Sequence, residues 1–293
     1  TCFTGSIGRI KGMNNLAIVM SSCDIYEDLW EPFFECLDVF GGEGIEQNHI
    51  SVYLNTEHKE FVPKKKLKFT VKTITQKGDK ILPWSKRFID VLHHISEDYI
   101  FLVLDDFFVC DYIQWDYFAR ILKRMNEDSS IASFQMCGTR TRNSNPDTYK
   151  ITEEFELDIM GKEGWKTHFV PTIWRKSVLL KWLRSWESIW AFEECGSKRA
   201  RRWNYPEKVY VVSAPLIYDY LWIKDCSAVI NGKWLAEKEL LEFFERYKIN
   251  VDWTKRGKMT WEEYQAITMK DVLKKYTVKQ IIIKSFNRVR SFF

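Results

Sequence analysis

The chain has 293 residues, 45% hydrophobic and 29% charged, with a net charge of +4. This length and balance describe a globular α/β domain with elaborations, or two modest domains, and exclude a disordered chain. The weak basic excess gives no argument for nucleic acid. Seven scattered Cys with no CxxC pair exclude a disulfide framework or zinc ribbon and suit a reducing cytosol. His93-His94 sits in a helical pattern and reads as structural. Aromatics reach 16%, with 13 Trp. Most of these rings suit an aromatic core, and some suit sugar-stacking faces or a membrane-interface belt.

Residues 1–12 are Gly-rich and lack periodicity, so they read as a remnant or disordered lead ahead of Met13. The expectation is a chain without a signal peptide, and no apolar run is long enough to span a bilayer. Leu16 to Met20 reads as a buried strand, followed by a helix from Leu29 to Phe40 that Gly41-Gly42 closes. Ile50 to Leu54 and Phe69 to Ile74 are strands, joined by a lysine-rich connection at Lys64-Lys65-Lys66 that reads as a solvated loop. Trp84 to Ile95 has helical spacing. Tyr99 to Leu104 is an unbroken apolar run, the pattern of a strand buried on both faces. A helix from Ile113 to Met125 and a strand from Ile131 to Gln135 follow. The order βα-β-β-αβ-αβ predicts a mainly parallel sheet flanked by helices. Beyond a polar loop from Cys137 to Tyr149, short strands are expected at Phe155–Ile159 and Thr167–Val170. Helices are expected at Lys176–Arg184 and Ile189–Arg199, a β-rich stretch at Val209–Tyr220, and an amphipathic helix at Leu235–Tyr247. No internal repeat divides the chain.

Four segments carry chemistry. Asp105-Asp106 end the most strand-like stretch, where ligands bind in open α/β sheets. Two acids there suit Mg²⁺ or Mn²⁺ with diphosphate oxygens completing the shell, or else a strand-end turn in which Asp106 caps a helix. Ser21 to Tyr26 follows the first strand and offers Ser22, Asp24 and Tyr26 to a nucleobase and ribose, or Asp24 as an N-cap. It lacks the glycines of a dinucleotide fingerprint or a P-loop. Gly78 through Arg87 enters a helix with Lys86 and Arg87 in its first turn, either facing phosphate or solvated. Trp190 to Arg202 places Glu193 and Glu194 in an aromatic segment, where desolvation raises a carboxyl pKa toward general-base use. The following basic run, including Lys198 and Arg199, could meet diphosphate, a membrane surface or only solvent at a helix end.

Together these segments resemble a GT-A type, nucleotide-sugar-dependent glycosyltransferase, similar to bacterial enzymes of lipopolysaccharide and capsular polysaccharide biosynthesis. The matching pieces are Ser22 to Trp30, Trp84-Ser85, Tyr99 to Phe108, Pro171 to Lys176, Trp190 to Glu193 with Gly196-Ser197, and Asn231 to Trp234, spanning roughly residues 14 to 250. The resemblance implies a GT-A (Rossmann-like) catalytic domain over 13–250 and a C-terminal helical extension over 251–293. It implies that Ser22, Asp24, Tyr26, Trp84, Arg87, Asp105 and Asp106 bind the nucleotide sugar. Asp106 would hold a divalent cation, Mn²⁺ or Mg²⁺, in place of the family's DxD element, with Phe107 where a second spaced acid would stand. Glu193, with Glu194 as competitor, would be the general base of an inverting transfer. Trp190, Lys198 and Arg199 would meet diphosphate or acceptor, and Trp84, Trp174 and Trp190 would pack against sugar or shape the acceptor cleft. A catalytically silent glycan- or nucleotide-binding scaffold of the same fold is the alternative.

From Val278 to Phe293, Val278, Ile281, Ile282, Phe286, Val289, Phe292 and Phe293 share one helical face, flanked by Lys279, Lys284, Arg288 and Arg290. The pattern is that of an in-plane helix on an anionic membrane, or of a terminal helix docked on the core. It sets the expectation of a lipid-linked acceptor at the cytoplasmic face of a membrane.

Overall fold

In the computed structural model, which describes residues 10, 12–136, 149–151, 155–159, 164–224, 226–267 and 290, the first strand β1 (Leu16–Ser21) is buried along its whole length. Its alternation explains why. Leu16, Ile18 and Met20 enter one core, with Phe33, Phe34 and Leu37 of helix α1 (Glu27–Gln47). Ala17 and Val19 enter a second core, with Trp84, Phe88 and Leu92 of α2 (Trp84–His94). A strand with apolar side chains at both parities is stable only with a layer on each face.

The sheet grows outward from β1. Strand β2 (Ser51–Asn55) pairs with it in parallel, and β3 (Val71–Ile74) pairs with β2. After α2 the chain crosses to the other side of β1, where β4 (Tyr99–Leu104) also pairs in parallel. The crossover makes a topological switch point between β1 and β4, the place where such sheets open a crevice at their carboxyl ends. Helix α3 (Trp115–Glu127) leads to β5 (Ile131–Gln135). The remaining strands are β6 (Tyr149–Ile151), β7 (Glu156–Ile159), β8 (Thr172–Arg175) and β9 (Lys208–Ala214). The nine-stranded order is β3-β2-β1-β4-β8-β5-β9-β7-β6, in which β8 and β7 run against the others. The expected α/β class, a mainly parallel sheet flanked by helices, is the observed one.

Helix α1 does not stop at Gly41-Gly42 but continues to Gln47. These glycines serve close packing. A Cβ on Gly41 would stand 2.6 Å from Ile113 Cδ1, and one on Gly44 would stand 2.0 Å from the Trp115 ring. Thr167–Val170 is not a strand, because its polar backbone is taken by the segment after α4 (Lys176–Trp182), as described below. The lysine-rich connection is pinned rather than simply solvated. Lys64 N donates to Glu31 Oε1 at 2.9 Å, Lys65 Nζ to Glu35 Oε2 at 2.8 Å, and Lys68 N to Asp38 Oδ1 at 2.7 Å.

After β9 come two small sheets. Strands β10 (Trp222–Ile223) and β11 (Cys226–Ser227) form one; β12 (Val229–Ile230), β13 (Lys233–Leu235) and a later strand (Lys258–Met259) form the other. Residues 251–259, expected in a separate extension, belong to this unit: Lys258–Met259 pairs with β13, and Trp253 packs on Trp234 at 5.2 Å and Phe244 at 5.9 Å. Residues 278–293 lie outside the described residues apart from Arg290, whose guanidinium lies 4.1 Å from the Trp186 ring centroid. No helix among the described residues is long and apolar enough to cross a membrane.

Candidate active site

The crevice is built from the loops after β1, β2 and β4. Asp105 is 9% exposed and accepts a hydrogen bond from Ser22 Oγ. Ser22 Oγ also accepts from Trp30 Nε1 at 2.7 Å, so α1 fixes the serine that fixes the acid. Arg87 forms a buried ion pair with Glu57 at 2.9 Å and donates to Ser22 O at 3.4 Å. Asp24 is held by the turn after β2: its carboxylate accepts from the backbone N–H groups of Glu57, His58 and Lys59 at 3.1 to 3.2 Å. Glu57 accepts from Asp24 N in return. Asp24 therefore shapes the crevice by locking two loops together, rather than standing open at a strand end. Phe107 points into the core, 8% exposed and edge-on to Tyr220 at 4.9 Å. The position where a spaced acid would stand is an interior one.

The crevice has a roof that sequence reasoning missed. Arg256, just before the last strand of the small sheet, forks onto Asp28 through Nε at 2.7 Å and Nη2 at 2.5 Å. Its Nη1 donates to Gly232 O at 3.1 Å, and its guanidinium carbon lies 4.7 Å from the Tyr26 ring centroid. Lys59 and Lys255 both pair with Glu27. Glu57 was legible in principle, since it follows β2 as Asp105 follows β4. Nothing in the residues around Arg256 marks it.

The charges fall into pairs with a remainder. Glu57 has Arg87 and Asp28 has Arg256. Among the described residues, no Lys, Arg or His makes an ion pair with Asp105 or Asp106. Burial, then the Asp106 charge, pushes Asp105 from the ordinary 3.8 up to about 8, against the pull of Ser22 and Arg256. Asp106 is also raised, by burial, against a hydrogen bond from Ser227 and the charge of Arg256. Two adjacent carboxylates with no ion-pair partner among the described residues fit a divalent ion. Among the described residues no three of His, Cys, Asp or Glu gather as ligands. A cation here would therefore take one or two carboxylates and complete its shell from a ligand's oxygens, as Mg²⁺ does with phosphates.

A stability test follows. A carboxyl group whose folded pKa is raised stabilises the fold fully below its unfolded value, and that contribution is lost as pH rises through the folded value. For Asp105 the window runs from 3.8 to about 8. In metal-free buffer, Asp105→Asn, which retains an acceptor for Ser22, should gain stability over the parent between pH 5 and pH 8 by about 2–4 kcal/mol. Urea midpoints at the two pH values measure it; an equal gap at both would refute the assignment.

A second group surrounds Glu193. Helix α5 (Ile189–Ala191) widens into a π turn (Phe192–Gly196) before α6 (Ser197–Arg202). Such turns recur at functional sites. Thr167 Oγ1 donates to Phe192 O or Glu193 O, at 3.0 and 2.8 Å, and Thr167 N donates to Ser197 Oγ at 3.1 Å. Glu193 Oε1 accepts from Phe169 N at 3.0 Å and lies 3.5 Å from His168 Nε2. Burial raises the Glu193 pKa, opposed by the Phe169 N–H, and burial lowers that of His168. Trp84 joins the two groups. Its indole donates to Ser21 Oγ at 2.8 Å, and its ring packs on Phe169 at 5.1 Å and Phe192 at 5.9 Å.

The other expected site residues separate. Glu194 pairs with Lys198 one turn on. Trp190 is 73% exposed. A cavity of about 190 Å³ is lined by Trp165, Glu194, Ser197, Lys198 and Arg201. Arg199 is a correction: expected at diphosphate or acceptor, it is 1% exposed and paired with the fully buried Glu187. Trp174 is likewise buried in the core, against Trp182 at 5.7 Å.

No protein-family model matches the sequence, and no curated protein matches it. Solved structures with a loose likeness include S. aureus TarS, at 12% identity over 81% of this chain and 40% of that one, with a TM-score of 0.43. Residues 1–349 of TarS in complex with UDP-GlcNAc give 12% identity over 81% and 67%, at 0.39. CMP:2-keto-3-deoxy-manno-octonic acid synthetase with CTP gives 12% over 80% and 97%, at 0.36. The chain thus spans less than half the length of the full TarS chain, and likenesses this loose carry nothing about substrate or activity.

Proposed function

We propose that this protein is a glycosyltransferase that moves a sugar from a nucleotide-sugar donor to a hydroxyl of a glycan or lipid-linked glycan, in the biosynthesis of a surface polysaccharide. The observation that carries the reading is the carboxylate pair Asp105-Asp106, which has no ion-pair partner among the described residues and stands at the switch point of the sheet beside Ser22 and Tyr26. The nucleoside would lie along Ser22 to Tyr26, with Arg87 and Trp84 holding that wall. Asp106, the more open acid, would hold Mg²⁺ or Mn²⁺, which when bound neutralises charge on a departing diphosphate.

The remaining chemistry falls to the chain's own groups. Glu193 accepts the proton of the acceptor hydroxyl as its oxygen bonds to the anomeric carbon and the bond to the diphosphate oxygen breaks. Phe169 N–H orients that carboxylate, and burial keeps it basic enough to take a proton. Displacement in one step inverts the anomeric centre. The membrane-associated acceptor rests on the apolar and basic pattern of residues 278–293.

Donor hydrolysis across a panel of UDP-, GDP-, CDP- and ADP-sugars, with and without Mn²⁺, tests the reading. Turnover of at least one donor is expected, with Asp106→Ala lowering it by about tenfold or more. Nucleotide binding without turnover would favour the silent scaffold. Neither binding nor turnover would sink the proposal.

A further inference from the structure

We infer that Arg256 is the protein's own cation for the diphosphate, delivered to the crevice by the small C-terminal sheet and aimed by Asp28. The inference rests on the nucleotide-sugar reading and deepens it.

The placement is specific. Asp28 opens α1 directly after the turn that would hold the nucleoside, and the Arg256–Asp28 contact joins that turn to residues 228 positions later. Arg256 is 7% and Asp28 4% exposed at the side chain, so the pair is held and not frayed into solvent. A guanidinium has five N–H donors in one plane. Two go to Asp28 and one to Gly232 O, which leaves two of the five without a partner among the described residues. The Tyr26 ring lies against the guanidinium and limits its rotation. The positive charge is felt by Tyr26, Asp105 and Asp106, the three groups that border the proposed donor site.

The chemistry of the fork names the ligand class. A planar guanidinium suits two phosphate oxygens at once, where a lysine would offer only a point charge. Asp28 takes up one edge of that plane and so orients the rest. The Asp105-Asp106 pair offers an anion no positive charge of its own, so a diphosphate that settles beside it needs positive charge from another direction. Among the described residues, Arg256 and Arg87 are the guanidinia that lie against these loops, and Arg87 is buried on Glu57. Asp28 acts through Arg256 and is a positioning residue.

Calorimetric titration of the full chain with UDP, CDP, GDP and ADP and with the matching monophosphates tests this, once with Mn²⁺ and once with excess chelator. For the diphosphate the parent binds best, Arg256→Met should weaken binding about tenfold or more, while the monophosphate changes by less than about threefold. Arg256→Lys should recover part of the loss. Because Arg256→Met leaves Asp28 buried and unpaired, the double variant Asp28→Asn/Arg256→Met is the folding control and should show the same selective loss. Diphosphate binding at the parent level in either variant, or equal losses for mono- and diphosphate, would overturn the inference. If the parent itself binds no diphosphate in either buffer, the nucleotide-sugar reading fails first and this one with it.

Discussion

Glu193→Gln is expected to lower kcat by about 10²–10⁴-fold with donor KM nearly unchanged, the loss associated with removing a general base. Gln has the same shape and still accepts from Phe169 N, so the π turn should keep its geometry. What it cannot do is take a proton. Glu194→Gln should cost little by comparison, because that carboxylate is already engaged by Lys198. The pH profile supplies a second readout. As the proposed base, Glu193 would work when ionised, and burial raises its pKa from the ordinary 4.5 while the Phe169 N–H opposes the shift. The acid limb of kcat/KM should therefore lie above the ordinary carboxylate range and vanish in Glu193→Gln. A Gln variant that turns over at the parent rate, or equal losses in both variants, would remove Glu193 from the mechanism.

Glu187→Ala is expected to destabilise the fold by about 3–5 kcal/mol, the cost of leaving a buried charge without its partner. Glu187 is fully buried and holds the Arg199 guanidinium on both oxygens, while Arg199 also donates to Trp182 O at 3.0 Å. The same residue ties down α2, since Ser85 N donates to Glu187 O at 3.1 Å and Glu187 N to Ser85 Oγ at 2.9 Å. The double variant Glu187→Met/Arg199→Met fills the space without charge and should recover most of the loss. Urea denaturation of Glu187→Met, Arg199→Met and the double variant measures the coupling. Additive losses would mean that the pair does not act as a unit.

The limits of the sequence reading have physical causes. Tyr99–Leu104 was legible to the residue because six apolar side chains in a row fit only a strand covered on both faces. The end of α1 was not legible, because Gly41 and Gly44 are small for Ile113 and Trp115, which lie some 70 residues further on. A glycine used for a close approach looks the same in sequence as one used for a stop. Arg199 stands in a run of basic residues, the composition of a solvated helix end, and its interior partner Glu187 lies outside that run. The acids of the crevice could be found because strand ends mark them. Arg256 could not, because its place depends on how a small distant sheet folds back.

That return of the chain carries a consequence for synthesis. Loop-closure entropy grows only slowly with length, so joining Asp28 to Arg256 across 228 residues is little harder than closing a loop half as long. The order of events is nevertheless fixed on the ribosome. The strands that carry Ser22, Glu57 and Asp105 emerge and can pair while the segment that roofs them is still untranslated. During that interval Asp28 lacks its Arg256 partner, and the Tyr26 ring lacks the guanidinium that later lies against it. A truncation ending after β9 would hold the molecule in that condition, with the sheet assembled and the Asp28–Arg256 pair unmade.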